Sequence, residues 1–310
     1  MESTTSTHLL GRQLQDIAQI ENSKLNLSVL QWNVLARCYT SPKHYPLLSR
    51  DIVEFDNRKD LISQEIKSYN ADVICLQEVD KKDSKFFRSL YPEEEYSFSF
   101  VKKPQSSDGT CIMIRKNFEL IESEIVEHTN EEKDKKDNLV SQVVVAKHME
   151  KEVETYLIVA ACHLKADGWT VPCGDIRLRQ AKQLIEAIEK QKEKCFNLTE
   201  NKEKNILVVV CGDFNDNPEN PPTQEFLKNS KIAMKSAFID EPYTLNQMYG
   251  YNEYWLKSVV DYVLYSENLV LTKKIKPPEE GKVGPDGLLS ENFPSDHLSL
   301  YCEFVLPEKI

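Results

Sequence analysis

Val208-Val-Val-Cys-Gly-Asp-Phe-Asn215 runs four apolar residues directly into Gly212, Asp213 and Asn215. A buried strand that ends this way offers a carboxylate and a carboxamide two positions apart, and alternation along the strand puts them on one face. An acceptor and a donor–acceptor aimed at one point of a cleft suit water activation beside a phosphate, with a metal held nearby. A plain Gly-Asp-x-Asn turn after a core strand would have the same composition, so the reading depends on what the rest of the chain supplies.

Other segments end alike. Leu30-Gln-Trp-Asn33 closes on Asn33, Val73-Ile-Cys-Leu-Gln-Glu78 on Glu78, and Leu157-Ile-Val-Ala-Ala-Cys-His163 on His163, with Lys165 two residues on. Val259-Val-Asp-Tyr262 and Phe293-Pro-Ser-Asp-His-Leu-Ser-Leu300 add Asp261, Asp296 and His297. Independent turns would have to place a phosphate-handling group at six separate strand ends, so the six are read as one site. Carboxylate and carboxamide oxygens together suit a hard cation such as Mg²⁺ or Mn²⁺.

In order, Trp-Asn33, Leu-Gln-Glu78, His163-Leu-Lys, Gly-Asp213-Phe-Asn215, Asp261-Tyr and Ser-Asp296-His297 resemble the signature segments of the endonuclease/exonuclease/phosphatase superfamily, from about residue 27 to 305. Gln31-Trp-Asn-Val-Leu-Ala36, His163-Leu-Lys-Ala166, Glu241-Pro-Tyr-Thr244 and Phe293–Leu300 carry a closer resemblance to nocturnin and the catabolite-repression-type deadenylases. The resemblance implies a four-layer α/β fold, with two packed mixed β-sheets flanked by helices and the site at one edge of the sandwich.

It also implies roles. Glu78 is the first metal ligand for one or two Mg²⁺ (or Mn²⁺) ions, with Asn33 beside it and Asp296 a second carboxylate. Asp213 orients or deprotonates the attacking water, and Asn215 holds that water or a phosphate oxygen. His163 and Lys165 donate to the phosphate, while Asp261 orients His297. Lys103 and Phe293 contact the substrate. The implied activity is Mg²⁺-dependent hydrolysis of adenine nucleotides, in first place trimming of a poly(A) 3′ end. Removal of the NADP(H) 2′-phosphate is the alternative, and a catalytically decayed nucleotide-binding module a further one. Two departures stand out. Asp167 follows His-Leu-Lys-Ala where nocturnin-like sequences place an arginine, and the segment between Lys103-Pro and Asp108-Gly is short.

Composition bounds the possibilities. The chain has 310 residues, 40% hydrophobic and 29% charged, which fits one large soluble domain. It lacks an 18-residue apolar run, and Met1-Glu-Ser-Thr-Thr-Ser-Thr7 is not a signal peptide, so no membrane partner and a cytoplasmic location are expected. Eight cysteines without a Cys-x-x-Cys pair read as reduced core residues. A net charge of −11 opposes unaided binding of long polyanions. A short nucleotide, or an RNA 3′ end with affinity supplied by a protein partner, is easier to accept.

Periodicity and turn signals lay out the elements. Residues 1–26 read as an arm or short helix with apolar Leu10, Leu14, Ile17 and Ile20, and 27–310 as a single catalytic domain. Helices are expected over Asn57–Tyr69, Asp80–Leu90 (capped by Asp80) and Asp175–Gln191. Tyr96–Val101 and Thr110–Arg115 form a hairpin, and Trp255–Tyr265 and His297–Val305 each read as one strand. The charged stretches Glu127–Asn138 and Glu189–Asn205 read as surface loops or solvated helix ends, and Arg177 and Arg179 as a solvated face. The aromatic residues Tyr243, Tyr249, Tyr251, Tyr254 and Trp255 read mainly as core.

Overall fold

The computed structural model describes residues 8–130, 135–149, 153–167, 172–198, 204–229, 231–232, 234–250, 254–279 and 281–308. The strands are β1 (Leu14–Asp16), β2 (Ser23–Asn33), β3 (Val73–Asp80), β4 (Tyr96–Lys102), β5 (Asp108–Arg115), β6 (Phe118–Asn130), β7 (Lys135–His148) and β8 (Glu154–His163). They continue as β9 (Lys204–Asp213), β10 (Met234–Ser236), β11 (Leu245–Tyr249), β12 (Tyr254–Ser258), β13 (Asp261–Ser266), β14 (Val270–Ile275) and β15 (Leu300–Pro307). The helices are α1 (Arg50–Val53), α2 (Phe55–Tyr69), α3 (Ser84–Arg88), α4 (Gly174–Asn197) and α5 (Pro221–Gln224).

Two mixed sheets form, ordered β1-β14-β15-β2-β3-β5-β4 and β10-β13-β9-β8-β7-β6, beside a small β11-β12 ribbon. In each sheet one central pair, β2 with β3 and β8 with β9, runs parallel, so both strands of the pair deliver their C-terminal ends to the same edge. This is the expected architecture, with the site edge where those ends meet.

Strand alternation decides which side chains enter the site. In β9, Val208 and Val210 pack under α4 with Leu184 and Ile188, whereas Val209 and Cys211 belong to the core between the sheets. Asp213 shares the second parity. The same holds for Leu157, Val159 and Ala161 ahead of His163, and for Val263 beside Asp261. Burying each such aliphatic side chain contributes roughly 1.5–3 kcal/mol, so register is fixed by the core and the polar residues at the ends inherit it. Gly212 is required here, since a Cβ on it would fall 2.5 Å from Sγ of Cys162 on the neighbouring strand.

Several expectations give way to tertiary contacts. In place of the expected arm or short helix, the N-terminal segment forms a 3₁₀ turn at Leu9–Gly11 and strand β1, which pairs antiparallel with β14. Leu9 N donates to buried Glu65 (2.8 Å), and buried Arg12 donates to Lys276 O and Ser299 Oγ. These long-range contacts outweigh a short helix, which is marginal alone. Asp80 ends β3 instead of capping a helix: its carboxylate accepts the Arg37 N–H at 3.0 Å, and α3 begins at Ser84. The Trp255–Tyr265 stretch breaks into β12 and β13, which join different sheets, and the last strand begins at Leu300 rather than His297.

The first charged stretch is carried largely by β6 and β7, with 131–134 outside the described residues. The second is a continuation of α4 to Asn197, where Lys190 and Lys194 reach Glu124 and Glu122 across the sheet. Residues 199–203 lie outside the described set.

Candidate active site

Asp213 is the hub. Its Oδ2 accepts from Asn33 Nδ2 at 3.0 Å, across the gap between the sheets, and its Oδ1 accepts from the Asn215 N–H at 2.9 Å. Nε2 of His163 and Nε2 of His297 each lie 3.8 Å from the same Oδ2. Burial raises the Asp213 carboxyl above the usual range, with neighbouring Asp261 adding to the effect and His297 opposing it. A buried carboxylate with raised proton affinity, flanked by donors, suits general-base work on water.

The two histidines differ electrically. His163 is buried, and its Nδ1 faces the Lys103 ammonium at 3.3 Å. Burial, then the charges of Lys103, His297 and Lys165, hold it well below its usual value, so it is neutral. His297 Nδ1 lies 2.8 Å from Asp261 Oδ2. Burial there is overcome by the carboxylates of Asp261, Asp296 and Asp213, and His297 is held well above its usual value, as an imidazolium. Asp261 is itself fixed by Gln31 Nε2 at 3.1 Å and by its own N–H on Thr244 Oγ1.

Glu78 sits on the Asn33 side of the hub. Its oxygens accept from Asn33 Nδ2 and from the Ala36 N–H, both at 2.9 Å. Burial pushes its carboxyl up to about 7, against the pull of Lys103. Asp296 accepts the hydroxyls of Tyr45 and Tyr249, each at 2.6 Å, on a single oxygen. The Glu78 donor set is hard oxygen, and a divalent cation would return this buried carboxyl to its ionised form, so the residues fit Mg²⁺ or Mn²⁺. Atoms of Asp213, Asp261 and His297 also lie within 4.8 Å of one another, a grouping able to hold an ion. A protonated His297 closes that second place.

Strained backbone collects here. Leu35, Glu78 and Asn215 all have positive φ (58°, 59° and 50°). Each such residue costs on the order of 1–3 kcal/mol, which the surrounding core must sustain. An irregularity in β3 between Leu76 and Val79 re-aims Glu78 out of the strand's alternation. Asn215 lies beyond the end of β9, so its place comes from this turn and from its Nδ2 bond to Leu164 O (3.1 Å), not from sharing a strand face with Asp213.

Not every expected role survives. Phe293 is fully buried, with its ring 5.7 Å from that of Trp32, so it presents no face to a base. Lys103 is only 3% exposed and is paired with Asp108 at 2.6 Å; it orients His163 rather than projecting toward solvent. Lys165 is exposed beside His163, as a phosphate contact would be. Arg177 is buried, not solvated. It bridges Asp216 and Asp167, both at 2.7 Å, and Lys165 O at 3.0 Å, tying the exits of β8 and β9 together. Arg179 pairs with Asp137. Tyr254 and Trp255 are exposed, and Tyr251 lies outside the described residues.

Sequence reading missed Arg58. It is buried on α2 and donates to the carbonyls of Val53, Val34, Leu35 and Pro294, joining the loop after Asn33 to the segment before Asp296. A signal existed, since Arg58 occupies the apolar stripe Phe55, Ile62, Ile66 and Tyr69 of an otherwise regular helical period. The tyrosines on Asp296 had no such signal.

The fold and the arrangement of the hub have counterparts among known proteins. A model of the Endonuclease/Exonuclease/phosphatase family matches residues 30–297, and the chain belongs to that family. Nocturnin of Rattus norvegicus is 30% identical over 305 residues, covering 91% of this chain and 66% of its own length. The Ccr4 3′-5′-exoribonuclease subunit of the CCR4-Not complex of Candida albicans is 26% identical over 331 residues, covering 91% of this chain and 41% of its own length. The chain thus spans about two thirds or less of these relatives. Among solved structures, the human nocturnin catalytic domain with bound sulfate superposes with a TM-score of 0.68 (24% identity, 94% of this chain, 97% of that one). ANGEL2, a 2′,3′-cyclic phosphatase in complex with adenosine-2′,3′-vanadate, gives 0.76 (20% identity, 95% and 98%). No helix among the described residues is long and apolar enough to cross a membrane.

Proposed function

We propose that this chain is a divalent-metal-dependent phosphoesterase of adenine nucleotides, in first place a 3′-exoribonuclease of the deadenylase kind. The carrying observation is one oxygen of Asp213 lying 3.8 Å from both a neutral and a charged imidazole. Asp213 takes the proton of the attacking water, which Asn215 helps to position. Neutral His163 donates through Nε2, and the exposed Lys165 beside it meets the phosphate. The His297 imidazolium, held by Asp261, stabilises charge as it develops. Glu78, Asn33 and Asp296 would hold one Mg²⁺ or Mn²⁺, while the Asp213–Asp261–His297 group, with His297 as an imidazolium, is left to the proton and charge work. When bound, the metal supplies charge neutralisation on the phosphate oxygens.

Likeness to the exoribonuclease Ccr4 favours the RNA 3′ end. The net charge of −11 favours a small nucleotide, so removal of the NADP(H) 2′-phosphate is the second reading. Asp167 holds Arg177 by an ion pair and weighs against a dedicated 2′-phosphate clamp. An RNA substrate would draw further affinity from a protein partner. No disulfide forms among the described residues and seven of the eight cysteines are buried, which suits a reducing compartment such as the cytoplasm.

One purified sample, incubated with Mg²⁺ and either labelled oligo(A) or NADPH, tests the ordering. AMP release with untouched NADPH is expected, and EDTA should abolish it. Phosphate release from NADPH at a kcat/KM near 10⁴ M⁻¹s⁻¹, with intact oligo(A), would reverse the ordering.

A further inference from the structure

One cleft, of about 410 Å³, lies between Ile121 and the end of α4 at Lys190, Cys195 and Leu198, and none of the hub residues lines it. A second cleft of about 290 Å³ opens directly onto His163 and Lys165. This size falls near the lower end for ligand pockets. The short turn between β4 and β5, which carries Gln105 and Ser106, forms one side of it, and the start of β7, with Asn138 and Leu139, forms the other.

Its walls have a definite chemistry. Leu139 and Ile176 are half-buried apolar side chains facing the same space as the half-buried Tyr39 ring. Asn138 and Gln105, joined by a hydrogen bond from Gln105 N to Asn138 Oδ1, set carboxamides at the rim. The one carboxylate in the lining, Asp137, is already paired with Arg179 at 2.9 Å and bonded by Gln180. Nothing on these walls therefore repels a nucleotide, and apolar faces beside polar edges match a flat heteroaromatic ring better than a sugar or a second phosphate.

We propose that this cleft is a base-binding subsite, which holds the nucleobase of a nucleotide whose phosphate lies against His163 and Lys165. The assignment of the phosphate end rests on the phosphoesterase reading above; the base end rests on the cleft itself. The cleft makes affinity depend on the base, and so separates nucleotides from simple phosphate esters.

The test compares AMP with ribose 5-phosphate, which lacks only the base, by isothermal titration in EDTA so that nothing is turned over. Wild-type protein should bind AMP at least about tenfold more tightly. Leu139→Trp and Ile176→Trp, which fill the cleft from opposite sides, should each erase that preference and leave ribose 5-phosphate affinity within about twofold. Two positions are used so that one misfolded variant does not decide the matter, with circular dichroism as the check on folding. Equal binding of the two ligands by wild type, or a preference that persists in the folded variants, overturns the proposal. Hydrolysis of a p-nitrophenyl phosphodiester with Mn²⁺ is measured separately on wild type. Its absence would defeat the phosphoesterase reading while an AMP preference would still stand.

Discussion

His163 and His297 present Nε2 at the same distance, 3.8 Å, from one oxygen of Asp213, yet the first is held neutral and the second charged. The difference lies on the far side of each ring, where Lys103 faces one Nδ1 and Asp261 the other. Nitrogen-15 spectra at neutral pH should therefore show one imidazole and one imidazolium. Asp261→Asn should abolish the imidazolium signal and lower kcat by about 10²–10⁴-fold with the fold intact, as loss of an orienting carboxylate does. Two neutral rings in wild type would refute this division of labour.

Glu78 is a buried carboxylate pushed up to about 7. Neutral Gln removes the cost of burying a charge but can accept only one of the two N–H donors, from Asn33 and Ala36, so Glu78→Gln should stay within about 1–3 kcal/mol of wild type in EDTA. Added Mg²⁺ should raise the melting temperature of wild type by a few degrees, since a ligand at 100 times its Kd contributes about 2.7 kcal/mol. The variant should show no such shift, and its activity should fall about 10²–10⁴-fold. An equal metal-induced shift in both proteins would move the metal away from Glu78.

Arg58 gives four bonds to carbonyls and lies in no ion pair among the described residues; burial brings its guanidinium down to about 10. Arg58→Met leaves these buried acceptors without donors, at roughly 1–3 kcal/mol each. A loss of at least about 3 kcal/mol in urea unfolding is expected. Arg58→Lys should recover only part of it, because an ammonium cannot reproduce the planar fork. A change below about 0.5 kcal/mol would show that the two loops hold their positions unaided.

The polar groups that meet at the hub were legible because each follows an apolar strand whose parity is set by the core, as Val209 and Cys211 set that of Asp213. Residue type and register sufficed for Asp213, His163 and Asp261. Glu78 and Asn215 were found by type, but their positive φ and the β3 irregularity were not, since nothing local in Gln77-Glu78 or Phe214-Asn215 demands them. Phe293 misled because adjacency to Ser295-Asp296-His297 in the chain says nothing about which way the ring turns; it turns onto Trp32. Arg177 misled for the opposite reason. Its partner Asp216 lies 39 residues away, and only folding brings them together. The N-terminal arm was likewise decided by Glu65 and Ser299, distant in sequence from Leu9 and Arg12.

His128 lies away from the hub, in β6, with Nε2 2.8 Å from Ser141 Oγ and Nδ1 3.2 Å from Gln183 Oε1. It is 1% exposed. Burial pushes it down from 6.5 to about 4, only partly opposed by the Gln183 bond and the charge of Asp137. Between those two values the unfolded chain binds a proton that the folded chain does not, so stability rises with pH across that window. The contribution is complete above about pH 6.5 and is lost progressively as pH falls toward 4. At about 1.36 kcal/mol per unit, roughly 2–3 kcal/mol should disappear between pH 7 and pH 4.5 on account of this residue. His128→Gln cannot gain the proton, so its stability should fall less over the same interval, by about that amount. Urea unfolding of both proteins at the two pH values measures it. Parallel losses in the two proteins would show that His128 is reached by water or protonated in the folded state.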